Sequence, residues 1–515
     1  MSNSSTVVVD HEPRPAVAVS ATTTVASSAR ISFRQLIGVS CCVVVCDLAI
    51  YRGEGFAGLA LLFLLAPLLL WLSSQRPSRT VGLLLPGAML VLLAARMSWS
   101  GSAGLAAIGF TLVIPYVMVL AGFRTYVRQV ASFTCRVPVG GWLGLVQCVR
   151  QLRLSPFLPR ITWIKVLLPL FALVAFGWVF LLANPRMWTR VSATITLAIG
   201  TLSEWVEPFR PELLEAGFWL IVVWAVLGLV RPVFNQSDDD PRTAARGTPV
   251  EFDDAVSWHV YAAARNTLAV VIVLFAGYLL YEFANLWFRE FEDGFHYSGY
   301  AHEGAAWLTV ALGLATVVLS LVFQGRMLTD RRVRTLKRLA WTWSCLNVLL
   351  ALAVYNRLFI YIEFNGLTRM RIVGLFGIST VVVGFAMVVW KIARGHSFAW
   401  LVHRQLVSLA IAVYLFALTP VDSIWVRFNV GRILAGDLPP AVQLSVHPIG
   451  PEGLLQLAPL LECDDVTIRE GVRAMLAEHH EQLGMTEKTR RELGWTSWQL
   501  ADQMAFESLD AERRT

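Results

Sequence analysis

The residues able to do chemistry are ionisable side chains set in or beside long apolar runs: Asp47, Glu282, Arg357 and Glu363, with His302, Glu303, Arg369 and Arg371 close by. An ionised group in hydrocarbon costs about 2.5–3.5 kcal/mol on insertion scales, so each one needs a reason to be there. Acids so placed bind cations, relay protons or hold a head group. The plainer alternative is that they pair across helices to fix packing, or snorkel to the interface.

Helical spacing narrows the pairings. Tyr278, Glu282, Asn285 and Arg289 fall on one helical face through steps of four, three and four. Asn356 and Glu363 also share a face, whereas Arg357 and Glu363 are separated by about 240°. Arg357 therefore needs a carboxylate from another helix, and Glu282 or Glu303 is expected to supply it. The run from Tyr361 to Arg371 joins two apolar segments. Gly366 is suited to a positive φ and Thr368 to a helix N-cap, which puts Arg369 and Arg371 in a first helical turn. Cations there oppose the helix dipole by about 0.3–1 kcal/mol each. Compensation is expected from Glu363, Glu303 or an anionic ligand. Glu282, His302, Glu303, Arg357, Glu363, Arg369 and Arg371 thus form one candidate binding site. Asp47 reads as a snorkelling group near a span end.

No motif of a soluble enzyme is present: no phosphate-binding glycine loop, Gly-x-Ser-x-Gly elbow or His-Glu-x-x-His pair. The seven cysteines show no Cys-x-x-Cys spacing, and His479–His480 diverge by about 100° on a helix. No metal site and no cofactor are expected.

The elements that carry these residues are membrane spans. Hydrophobic residues make up 56% of the 515 and charged ones 15%, with mean hydropathy +0.59. About eleven runs have the length of a spanning helix, at 36–50, 56–73, 81–96, 103–123, 163–184, 214–230, 264–286, 304–325, 339–361, 371–391 and 398–419. The expected fold is an all-α polytopic transmembrane helix bundle with a small helical C-terminal domain. Several of the 19 Trp lie near span ends, as interfacial rings do. The net charge of +7 falls in particular loops and does not indicate nucleic acid. The 124–162 loop holds six arginines and no acid, and 326–338 is strongly basic, whereas 287–303 is acidic. Basic loops face the cytoplasm, which places the N-terminus inside and the C-terminus outside a bacterial inner membrane.

The organisation reads as a disordered tail over 1–34 with no cleaved-signal pattern, a first helix group over 35–231, and a polar linker over 232–262. A second helix group over 263–420 and a soluble helical tail over 421–515 follow. Trp142, Leu145, Val146, Val149 and Leu152 recur at helical spacing in the basic loop, predicting a helix lying on the anionic leaflet. The stretch 187–203 reads as interfacial or re-entrant. Tail helices are expected at 451–461, 465–483, capped by Asp464 or Asp465, and 497–510.

Three motifs carry a family resemblance. They are Asn365-Gly-Leu-Thr-Arg-x-Arg371, a segment containing Tyr300, Ala301, Glu303 and Gly304, and Phe428-Asn429-x-x-Arg432. Together they resemble the uncharacterised bacterial membrane family known as domain of unknown function 4173, over about residues 265–512. His302 and Asn365 depart from the family pattern, at positions where arginine and an aromatic are expected. The resemblance implies a polytopic bacterial protein with a short helical tail, and no activity.

Three function classes remain. The first is a non-catalytic envelope scaffold, sensor or assembly partner that contacts membrane lipids and a protein partner through its tail. The others are a transporter of a small solute or ion, and an embedded transferase or hydrolase acting on a lipid-linked substrate.

Overall fold

A computed structural model describes residues 31–74, 81–151, 196, 210–231, 254–284, 297–322 and 333–514. The expected N-terminal tail, the 163–184 span and the 187–203 stretch apart from Thr196 lie outside them, as does most of the polar linker and of the acidic and basic connections. The described residues form an all-α polytopic bundle with no strand among them. Nine of its helices are long and apolar enough to cross a membrane.

The first group begins with α1 (Phe33–Cys46), continued by a π turn over Asp47–Tyr51, then α2 (Phe56–Ser73), α3 (Leu84–Trp99) and α4 (Ala103–Leu120). Ser32 caps α1 in a capping box with Gln35, which in turn donates to the Ser73 carbonyl at 3.0 Å. That bond ties the start of α1 to the end of α2. Next come α5 (Val127–Gln151) and α6 (Arg210–Val230), packed against each other. Small residues allow this approach: a Cβ on Gly141 would collide with Trp224, and one on Gly228 with Val137. The expected leaflet helix is thus a 25-residue helix whose glycine face is taken up by α6, while Val139 and Trp142 stay exposed.

The second group holds α7 (Asp254–Glu282), α8 (Tyr297–Val322), α9 (Val333–Asn365) and α10 (Arg369–Arg394). Helix α9 contacts α7, α8 and α10. Helix α11 (Phe398–Leu418) joins the groups: it packs on α10 and touches α3, α4 and α5, and its buried Tyr414 donates to the Met89 carbonyl at 2.8 Å.

The C-terminal region folds back over one end of this bundle. Pro420 leads directly into α12 (Val421–Leu434), followed by α13 (Pro440–Val446), α14 (Pro451–Leu454), a 3₁₀ turn at Ala458–Glu462, α15 (Val466–Leu493), a 3₁₀ turn at Trp495–Ser497 and α16 (Leu500–Arg514). Asp465 caps α15, accepting from the Thr467 and Ile468 backbone at 2.8 and 3.1 Å. The tail differs from expectation in starting with two helices before residue 451 and in breaking 451–461 into two short turns. Its core is continuous with the bundle. Trp425, Val426, Leu457, Leu460 and Leu509 share one apolar cluster with Leu350, Val354 and Ile372 of α9 and α10.

Candidate functional site

The sequence run 361–371 becomes the turn between α9 and α10, at the end covered by the tail. Gly366 adopts φ +81°, the left-handed conformation that lets α9 stop and the chain reverse. A Cβ there would also strike the Asn429 side chain at 2.7 Å. Thr368 caps α10, accepting from the Arg371 backbone at 3.4 Å. Asn429, fully buried on α12, reads this turn like a strand partner. Its amide donates to the Leu367 carbonyl and accepts from the Leu367 N–H, both at 2.8 Å. Arg432, one helical turn on, donates to the Ile362 carbonyl at 2.8 Å and to that of Glu363, filling free acceptors at the end of α9, and pairs with Asp437. Two of the three motifs therefore act as lock and key.

The arginines separate by role. Arg357 forms a two-pronged ion pair with Glu282, Nε to Oε1 and Nη2 to Oε2, both 2.6 Å, with both side chains buried. Tyr278, one turn before Glu282, donates to Oε2 at 2.8 Å and accepts from Arg357 at 3.3 Å. The arrangement meets the requirement that a buried charge be paired and its remaining sites bonded. Arg369 does not pair with Glu363, one of the carboxylates expected to compensate it. Its partner is Asp422 at the start of α12, bonded at 3.0, 2.7 and 2.6 Å, while Trp425 donates to the same carboxylate at 3.1 Å. Glu363 is exposed, and its side chain has no ion pair among the described residues. The fold-back of α12 brings a nearer acid than the helix spacing offered.

Arg371 is buried, its guanidinium lying 4.0 Å over the Tyr361 ring and donating through Nη1 to the Gly366 carbonyl. It lines a cavity of about 530 Å³ between α8, α9, α10 and α13. Tyr361, Asn365, Thr368, Gln443 and His447 share its wall, with Leu358, Gly374, Gly377 and Ile378 deeper along the helices. His302 and Glu303 lie in the first turns of α8, but their side chains are outside the described ones, as are Asn285 and Arg289. Ala306 and Thr309, on the next turns of α8, line the cavity.

Asp47 is not a solvent-seeking group. It is buried, accepts from Trp219 of α6 at 2.9 Å, and meets Arg52 at 2.9 Å, which also binds Glu215 at 2.5 Å. Glu215, then Asp47, hold the Arg52 guanidinium above its ordinary pKa. His479 and His480 do not converge: one bonds the Met475 carbonyl at 2.9 Å and the other stacks on Phe506.

Sequence reasoning missed a second set of contacts, by which the tail reaches the first helix group. Glu452 accepts from Arg96 at 3.0 Å and from Trp99 at 3.1 Å, both at the end of α3. Gln499 accepts from the Gly101 backbone at 2.9 Å, and Thr496 from that of Glu54 at 3.2 Å. A Cβ on Gly55 would overlap Ser497. The signal in the sequence was weak, since Arg96 looks like any cation at a span end.

A family model described as "Domain of unknown function (DUF4153)" matches residues 24–448. No curated protein and no solved structure matches. The resemblance drawn from motifs is thereby corrected in two respects. The family is a different one from domain of unknown function 4173, and the match includes the first helix group while ending at Pro448, before α14. Its span takes in both the Gly366 turn and the Asn429–Arg432 clamp. By a match over most of its length, the chain belongs to the DUF4153 family of proteins of unknown function.

Proposed function

We propose that this membrane protein is a non-catalytic envelope scaffold whose C-terminal helices form a cap outside the cytoplasmic membrane and recruit a protein partner. The observation that carries the reading is the double clamp of the cap. Asp422 holds it to α10 of the second group through Arg369, and Glu452 holds it to α3 of the first through Arg96 and Trp99. Charges that would serve a transport path or an acid catalyst are engaged instead in such structural pairs, Arg357 with Glu282 foremost. Sidedness follows from charge: Arg124, Arg150, Arg231, Lys337 and Arg394 all lie at the end of the bundle opposite the cap, which fits a cytoplasmic face. The long helix α15 offers exposed Val466 and Met485 to a partner. A photo-reactive amino acid placed at either position in intact cells should yield a discrete protein adduct, whereas one at lipid-level Leu314 should not. Absence of a discrete adduct at both cap positions would remove the scaffold reading.

A further inference from the structure

We propose that the cavity beside Arg371 binds a phosphate-bearing lipid of the leaflet at the cap end. This goes beyond the scaffold reading and does not depend on it.

The charge balance comes first. Among the described residues, Arg96, Arg357, Arg369 and Arg432 each meet a carboxylate. Arg371 is as deeply placed, 6% exposed, yet none of those carboxylates is its partner and its buried Nε has no hydrogen-bond partner. A guanidinium does not deprotonate, so this charge needs an anion. Tyr361 covers one face of the guanidinium and Gly366 takes Nη1, which fixes its orientation at the cavity wall. The remaining Nη2 suits an oxygen of a phosphate.

The shape of the cavity supplies the second half of the ligand. Arg371 is two residues from the start of α10, whereas Gly374, Gly377 and Ile378 follow down the helix, Ile378 about 14 Å from its start. Leu358 of α9 lies at matching depth, seven residues before that helix ends. The wall therefore grades from polar at the head-group level (Asn365, Thr368, Gln443, His447) to apolar at acyl-chain level. The glycines leave room: a Cβ on Gly377 would meet nothing within 4 Å. Among the lining residues Met370 of α10 is 75% exposed, an apolar edge suited to lipid entry from the side. A free anion would use only the upper half of such a site, and a neutral lipid only the lower half.

The test uses the full chain in nonionic detergent and follows the unfolding temperature against added ligand. The probes are phosphatidylglycerol, the corresponding diacylglycerol, and inorganic phosphate. Phosphatidylglycerol should stabilise the wild-type protein, with diacylglycerol and phosphate each binding at least about tenfold more weakly. Arg371→Gln should weaken phosphatidylglycerol at least about tenfold, the scale of one charge-assisted pair. Gly377→Leu, which fills the apolar floor, should weaken phosphatidylglycerol while leaving any response to phosphate unchanged. Should Arg371→Gln fail to fold, the Gly377→Leu comparison decides. Equal phosphatidylglycerol binding by the wild type and Gly377→Leu would overturn the proposal. So would equal binding of diacylglycerol, which means non-specific lipid association, or of inorganic phosphate, which means an anion site without a lipid.

Discussion

At the scale of residues, Arg96, Arg357, Arg369 and Arg432 are each neutralised by a carboxylate, whereas Arg371 is oriented by a ring and a carbonyl and meets no carboxylate among the described residues. The Arg357–Glu282–Tyr278 cluster lies between α7 and α9, where an unpaired charge is hard to accommodate. Arg357→Met alone should cost about 3–5 kcal/mol, as loss of one partner of a buried pair does. Arg357→Met with Glu282→Met should cost clearly less than the sum of the singles, read from unfolding in detergent; additive losses would show that the pair is not coupled. Asn429→Ala strips both partners from the Leu367 backbone and should destabilise by about 2–6 kcal/mol, the range for two buried unpaired groups. Asn429→Asp keeps the acceptor but sets a buried carboxylate oxygen against the Leu367 carbonyl, and should be no more stable than alanine. The need of Arg357 for a carboxylate on another helix was legible from spacing alone, because helical rotation placed Glu363 on the wrong face. Asp422 was not, because nothing in the period of α10 announces that a residue 53 positions later returns to its first turn.

At the scale of elements, hydropathy located the helices, and the chain's breakers proved ambiguous. Gly366 and Thr368 were readable because a left-handed turn and an N-cap each demand particular side chains. Pro420 marks the end of the last span and the expected start of soluble chain, yet it leads directly into α12, because proline is tolerated where a helix begins as well as where one ends. The cap is held by few contacts of known identity, so its attachment to the first group can be broken selectively. Glu452→Gln combined with Gly55→Leu should detach it from α2 and α3, since one removes a charge and the other places a side chain against Ser497. Limited proteolysis should then cut the connection around Gly436, between α12 and α13, several-fold faster than in wild type. Unchanged cleavage would mean that these contacts do not hold the cap.

At the scale of the whole molecule, two helix groups meet through α11 and are spanned at one end by the cap. Composition made the bundle legible, but not the joining, because lipid-facing and partner-facing apolar surfaces have the same hydropathy. The function remains tied to where the cap stands. The proposed placement of the cap outside the cytoplasm underlies the scaffold reading and its partner. It is tested most directly by thiol labelling in intact cells, in a background lacking the native cysteines. A cysteine at exposed Thr489 on α15 should react with a membrane-impermeant maleimide, while one at Arg394, at the opposite end of the bundle, should react only after the cells are opened. Labelling of the Arg394 position with protection of the Thr489 position would contradict the account.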